Sequence, residues 1–234
     1  MQRRYKFLCL IDNEIRSESG DCIWHIGEWQ SVRDNELIIC ENGFHCSRTC
    51  YQAFTYVQGE ILAQVEVSGA SIVNDDKEAW QKMRLVRVWR WQKHDSVALS
   101  IFAAELVLEN FEKMYPDDKR PRAAIDAARR WLAAPTEENA ESARSAAMAA
   151  ESAAMAAESA WAAEWSTAMA GEWSTARAAR SAARSAEWSA WSAWSAESAW
   201  AAEWSAAMAG DEIIEKISRW MDERVAVLAE YEEK

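Results

Sequence analysis

The sequence predicts an α+β protein: a small mixed α/β domain over residues 1–115, then an alanine- and tryptophan-rich antiparallel α-helical bundle over 116–234. Three observations carry this. Every cysteine, every histidine and five of the seven glycines lie in the first part, where short apolar runs alternate with turn residues. No proline follows Pro135. The tract from Ser142 to Gly171 uses little beyond Ala, Ser, Met, Glu and Trp, a composition dominated by good helix formers.

The elements follow in order. "YKFLCLID" (5–12) reads as an opening strand, and "ELIICENG" (36–43) as a second strand ending in a turn at Asn42-Gly43. "SRTCYQAFTYV" (47–57) reads as a short helix with Ser47 as N-cap. "EILAQVEVSG" (60–69) alternates as a strand does, and so does "RLVRVWRWQK" (84–93), which puts Leu85, Arg87, Trp89 and Trp91 on one face. "SVALSIFAAELVLENFEKMY" (96–115) returns to a helical period. Pro121 then stands just inside a helix start, Pro135 just beyond its end, and Thr136 at the N-cap of the next helix. Gly171 and Gly210 each close an "AMAG" and suit left-handed C′ caps. The parse is therefore a helix to about 170, a second to about 209, and a third from Asp211.

Ser145, Ala149, Ser152, Ala156, Ser159, Ala163, Ser166 and Ala170 recur at spacings of four and three, a heptad seam of small residues. Such a seam lets helix backbones approach closely, with Met148, Met155, Met169 and Trp165 supplying most of the apolar area beside it. The same seam would serve a homodimer. In the tail, Ile214, Ile217, Met221, Val225 and Leu228 form an ordinary apolar stripe, expected to pack across the helical hairpin that the seam makes of the two long helices, or on the α+β half.

Composition narrows the function classes. Lys plus Arg total 26 against 38 Asp plus Glu, a formal charge of −12, which argues against general nucleic-acid binding. No apolar run reaches the ~18 residues of a membrane span, and "MQRRYKFLCLIDNEIR" is too polar for a signal peptide. Five cysteines, an odd number, suggest reduced thiols, so a cytoplasmic location is expected. Cys40, Cys46 and Cys50 with His45 lack the short knuckle spacing of a zinc site, so no metal and no cofactor are expected.

The remaining candidates are binding residues. His45 caps the Gly43 turn or lines a pocket. "RVWRWQKH" interleaves cations and rings, so Arg87, Trp89, Arg90 and Trp91 suit base stacking or phosphate contact, or else form a strand with its tryptophans packed inward. Asp75, Asp76 and Glu78 read as solvated surface. Fifteen tryptophans, eight of them from Trp161 to Trp204, exceed what one stripe buries. Trp188 and Trp191 beside Arg177, Arg180 and Arg184 suit a protein interface or a clamp for a planar anion.

Two resemblances bear on function. "KRPRAAIDAARRWLAAPTEENAESARSAAMAAESAA" and "DEIIEKISRWM", spanning residues 119–224, resemble a family of alanine-rich helical phage and bacterial immunity proteins. "ICENGFHCS" and "GEILAQVEVSGASIVNDDKEAWQKMRLVRV" resemble an uncharacterised domain of phage and bacterial genomes. The first resemblance implies a non-enzymatic binding protein, a counter-defence factor that neutralises a partner protein or a small nucleotide ligand. The order of "NGFHCSRTCYQAFTYVQGEILAQVEV" is also similar to the ADP-ribosyltransferase fold, which implies the rival: a NAD-using enzyme dependent on His45 and Glu66. The histidine and acidic motifs of that fold have no clear counterpart here.

Overall fold

In the computed structural model, residues 3–18, 22–32, 37–39, 41–57, 59–165 and 211–231 are described. The chain divides into two units, Met1–Gln92 with Trp220–Lys234, and Lys93–Arg219.

The first unit is built on strands β1 (Arg4–Ile11), β2 (Glu14–Arg16), β3 (Ile23–Trp24), β4 (Gln30–Ser31) and β5 (Phe44–Cys46), helix α1 (Cys50–Tyr56), and the long hairpin β6 (Ile61–Val73) and β7 (Glu78–Arg90). The strands form one antiparallel sheet in the order β3-β2-β1-β6-β7-β4, with β5 also on β7. Asp12 and Asn13 both have positive φ, so β1 and β2 are joined by a two-residue turn whose twist suits a tight hairpin.

Three sequence expectations change here. In the expected second strand, Ile38 and Asn42 instead close a local turn, exchanging main-chain hydrogen bonds of 2.9 Å. The N-cap of α1 is Thr49, not Ser47. Thr49 Oγ1 accepts from Gln52 N and Gln52 Oε1 accepts from Thr49 N, a reciprocal capping box. Ser47 is instead engaged by its main chain, bonded in both directions to Tyr5. Third, Leu85 does not share a face with Trp89. Gln64 pairs with Arg87 but Val65 with Leu85, so Val86 is an extra residue and the alternation of β7 reverses there.

That bulge gives both faces of the sheet an apolar cover. On one face Leu8, Ile15, Trp24, Ala63, Met83, Leu85 and Val88 form a single cluster. On the other, Phe7, Leu62 and Trp89 lie in cross-strand register, and Phe7, Phe54 of α1 and Trp91 pack ring against ring at 5.1–5.7 Å. Gly59 passes so close to β1 that a Cβ there would lie 1.9 Å from the Leu8 carbonyl oxygen. The chain end returns to this unit: Tyr231 N donates to Val88 O at 2.7 Å, and Met221 and Val225 are buried.

The second unit holds α2 (Lys93–Met114), α3 (Arg120–Ala133), α4 (Glu137–Trp165) and the start of α5 (Asp211–Val227). Pro121 occupies the first turn of α3, and Asn139 N donates to Thr136 Oγ1 at 3.2 Å, as the sequence leads one to expect. Val97, Ile101, Ala104 and Leu108 of α2 pack on Ala124, Ile125 and Ala128 of α3 and Ala150 of α4.

Small residues also join α3 to α4; the partner expected for the Ser145–Ala170 seam, the second long helix, lies outside the described residues. Ala143, Ala147 and Ala150 are buried, the first two against Ala127, whereas Ser145, Ala149 and Ser152 are exposed and Met148 is 63% exposed. The reason is polarity: a buried serine hydroxyl needs an acceptor, and Ser152 Oγ, left outside, donates to the Met148 carbonyl of its own helix. Ser166 and Ala170 of the seam, the second long helix, and Arg177, Arg180, Arg184, Trp188 and Trp191 lie outside the described residues.

Candidate functional site

A gap in the sheet makes a cavity. On its side away from β6, β1 is bonded to Ser47 at Tyr5 and to β2 from Cys9 onward. Between those points it has no strand partner among the described residues. A cavity of about 530 Å³ opens there, bounded by β1, β5, α1 and the turn after β6.

Lys6 is the charged side chain set into this gap. Its Nζ donates to the His45 carbonyl at 3.0 Å and lies 5.9 Å from the centre of the Trp24 ring. No carboxylate lies within ion-pair distance of it among the described residues. Burial lowers its pKa, because the ammonium has given up water without a compensating anion. Lys77 stands over the Tyr56 ring at 4.1 Å, and the Tyr56 hydroxyl donates to Asp76. The two carboxylates of the lining, Glu18 and Glu41, are both exposed.

His45, on β5, does line the cavity. Burial first, then the charges of Lys77 and Lys6, depress its pKa to about 4, so the imidazole is neutral at pH 7. Cys46 beside it is buried in the sheet cluster, and burial together with Glu78 pushes its thiol up to about 12. Cys22, also on the wall, is raised by burial. These thiols are protonated, poor nucleophiles at neutral pH. Among the described residues no group of three or more His, Cys, Asp or Glu is placed to hold a metal ion.

The β7 group is not brought to this cavity. Trp89 and Trp91 are only 4% and 3% exposed, their rings spent on the core. Arg87 is exposed, stacked on Trp89 at 4.9 Å and ion-paired with Glu230; Arg90 lies 5.9 Å from the Tyr231 ring. Glu66 pairs with Arg84 at 2.5 Å and is not among the residues that line the cavity beside His45.

Sequence reasoning missed Lys6, Tyr56 and Lys77. One signal was present: a lysine between Tyr5 and Phe7 in an otherwise apolar strand, a residue type rarely drawn inward without a purpose. It also read Glu78 as solvated surface, whereas that side chain is 1% exposed and holds Arg4 at 2.6 Å, Trp80 Nε1 at 2.8 Å and Arg48 at 3.0 Å. Glu78 opposes Cys46 in the β5–β7 register, so this cluster fixes the strand that carries His45.

Comparison with known proteins bears on this unit alone. Residues 7–95 match a family described as a domain of unknown function, DUF7666. The match runs from β1 to the start of α2 and so includes both the sheet and most of the cavity wall. It agrees with the likeness of the first half to an uncharacterised domain, while the immunity-protein likeness of residues 119–224 gains no support. No curated protein and no solved structure matches the chain. No helix among the described residues is long and apolar enough to cross a membrane.

Proposed function

We propose that the protein is a non-enzymatic binding protein that sequesters a small anionic, nucleotide-like ligand in the cavity between β1 and β5. One observation carries the reading: Lys6 is set half-buried in a sheet gap beside the His45 carbonyl and the Trp24 ring, with no carboxylate within ion-pair distance among the described residues. A cation partly withdrawn from water without an anion is unfavourable, and a bound phosphate or carboxylate removes that penalty. Lys77 supplies a second positive charge, Tyr56 and Phe44 supply ring surface, and neutral His45 offers a donor or acceptor to a heterocycle. About 530 Å³ is room for a nucleotide-sized molecule. Exposed Glu18 and Glu41 repel an anion at the mouth and favour one seated at the lysines.

Sequestration rather than catalysis is favoured because the cavity holds protonated thiols and no paired acid and base. A counter-defence setting rests on the likeness of residues 119–224 alone. Native mass spectrometry of protein purified from cells, followed by titration calorimetry with nucleoside mono- and diphosphates, tests the reading. A bound mass lost in Lys6→Gln and Lys77→Gln variants is expected. Absence of both a co-purified ligand and measurable heat would refute it.

A further inference from the structure

The amine of Lys6 has chemistry beyond charge. Its Nζ faces a cavity large enough for a ligand and uses a single neutral acceptor, the His45 carbonyl. The groups around it are Cys46 and His45 from β5, Cys22 from beside β3, Lys77 from the turn after β6, and Glu18 at the mouth. Two of these are neutral thiols, one is a neutral imidazole, and Lys77 is a like charge. Exposed Glu18, the His45 carbonyl and the Trp24 ring favour the ammonium, and burial, the largest effect, together with the charge of Lys77 outweighs them.

From this geometry we infer that Lys6 is a covalent docking point, forming an imine with an aldehyde or ketone group of the anionic ligand. The inference rests on the cavity's being a ligand pocket. Lys77 would hold the anion while Lys6 reacts. The step balances without any oxidant or reductant. The nitrogen lone pair forms a C–N bond to the carbonyl carbon, and the oxygen takes up a proton. The carbinolamine then loses that oxygen as water and the nitrogen its remaining proton, leaving C=N. A lysine whose burial favours the neutral amine is the form that attacks, since an ammonium has no lone pair.

Pyridoxal 5′-phosphate, which carries both an aldehyde and a phosphate, is a suitable probe. The full chain is incubated with it, reduced with borohydride, digested and mapped by mass spectrometry. Lys6 is expected to label at pH 7 faster than exposed Lys82 or Lys113, because burial lowers its pKa and leaves more free amine. Its pH–rate profile should level off below the ordinary lysine range, a readout that needs no variant. Lys6→Arg should remove the label, with melting temperature checked in parallel. Pyridoxine 5′-phosphate, which lacks the aldehyde, should compete. If it binds and Lys6 remains unlabelled, the imine is overturned and the pocket reading survives. If it neither binds nor competes and labelling is spread evenly over exposed lysines, both fall.

Discussion

Glu78→Gln removes one negative charge from the best-buried polar cluster of the first unit. The carboxylate is 1% exposed and Arg4 11%, with 2.6 Å between them, so this arm is a buried ion pair. Leaving one partner of such a pair uncompensated costs about 3–5 kcal/mol. Glutamine keeps the shape and one acceptor, which places the change near the lower end, about 3 kcal/mol. The Arg48 arm is 42% exposed and contributes under about 1 kcal/mol. For a unit of roughly 100 residues, a 3 kcal/mol loss lowers Tm by on the order of 15 °C. The assay is thermal unfolding followed by tryptophan fluorescence, with Arg48→Ala as the comparison. A Glu78→Gln protein that loses no more stability than Arg48→Ala would refute the reasoning. pH gives an independent check. Burial alone raises the Glu78 pKa, but hydrogen bonds from Arg4, Trp80 and Arg48 outweigh it and hold the carboxyl below its ordinary value. The unfolded chain therefore takes up the proton first. The stabilisation is complete above the ordinary carboxyl pKa and disappears as pH falls through the lowered one, so wild-type and variant curves converge in acid.

Phe54→Ala empties the centre of the Phe7–Phe54–Trp91 cluster, where Phe54 is 1% exposed, and should cost about 3–5 kcal/mol by urea unfolding. His45, with a folded pKa of about 4 against 6.5, binds its proton later than the unfolded chain does. Stability should therefore decline as pH drops from 6.5 toward 4; His45→Gln should flatten that decline, and imidazole NMR signals give the midpoint directly. Cys46 and Cys50, both buried with raised pKa values, should resist a thiol reagent at pH 8 until urea is added; rapid reaction of either in the native protein would contradict the packing.

Much of the fold was legible locally. β1, the first part of β6, the second part of β7, α2, the proline inside α3, the Thr136 cap and the start of α5 at Asp211 all follow from propensity, period and capping chemistry. The two- and three-residue strands β2, β3 and β4 were not legible, because so few residues carry no periodic signal and are defined by their partners. Of the candidate site, His45 was named from sequence; its neighbours Lys6, Tyr56 and Lys77 come from distant segments.

The sequence by itself determined the longer strands and helices, because those depend on each residue's own backbone preferences and its near neighbours. Only the tertiary structure decided that α3 packs on α4, and through which residues. In a tract of Ala and Ser several helix faces repeat with equal spacing, and it is Ala143 and Ala147 that meet Ala127 of α3. The same holds for β7, whose bulge at Val86 is set by its register with β6, and for the cavity, which exists because β1 loses its strand partner between Tyr5 and Cys9. Register and partner choice are relations between segments far apart in the chain, and a reading along one segment has no access to them.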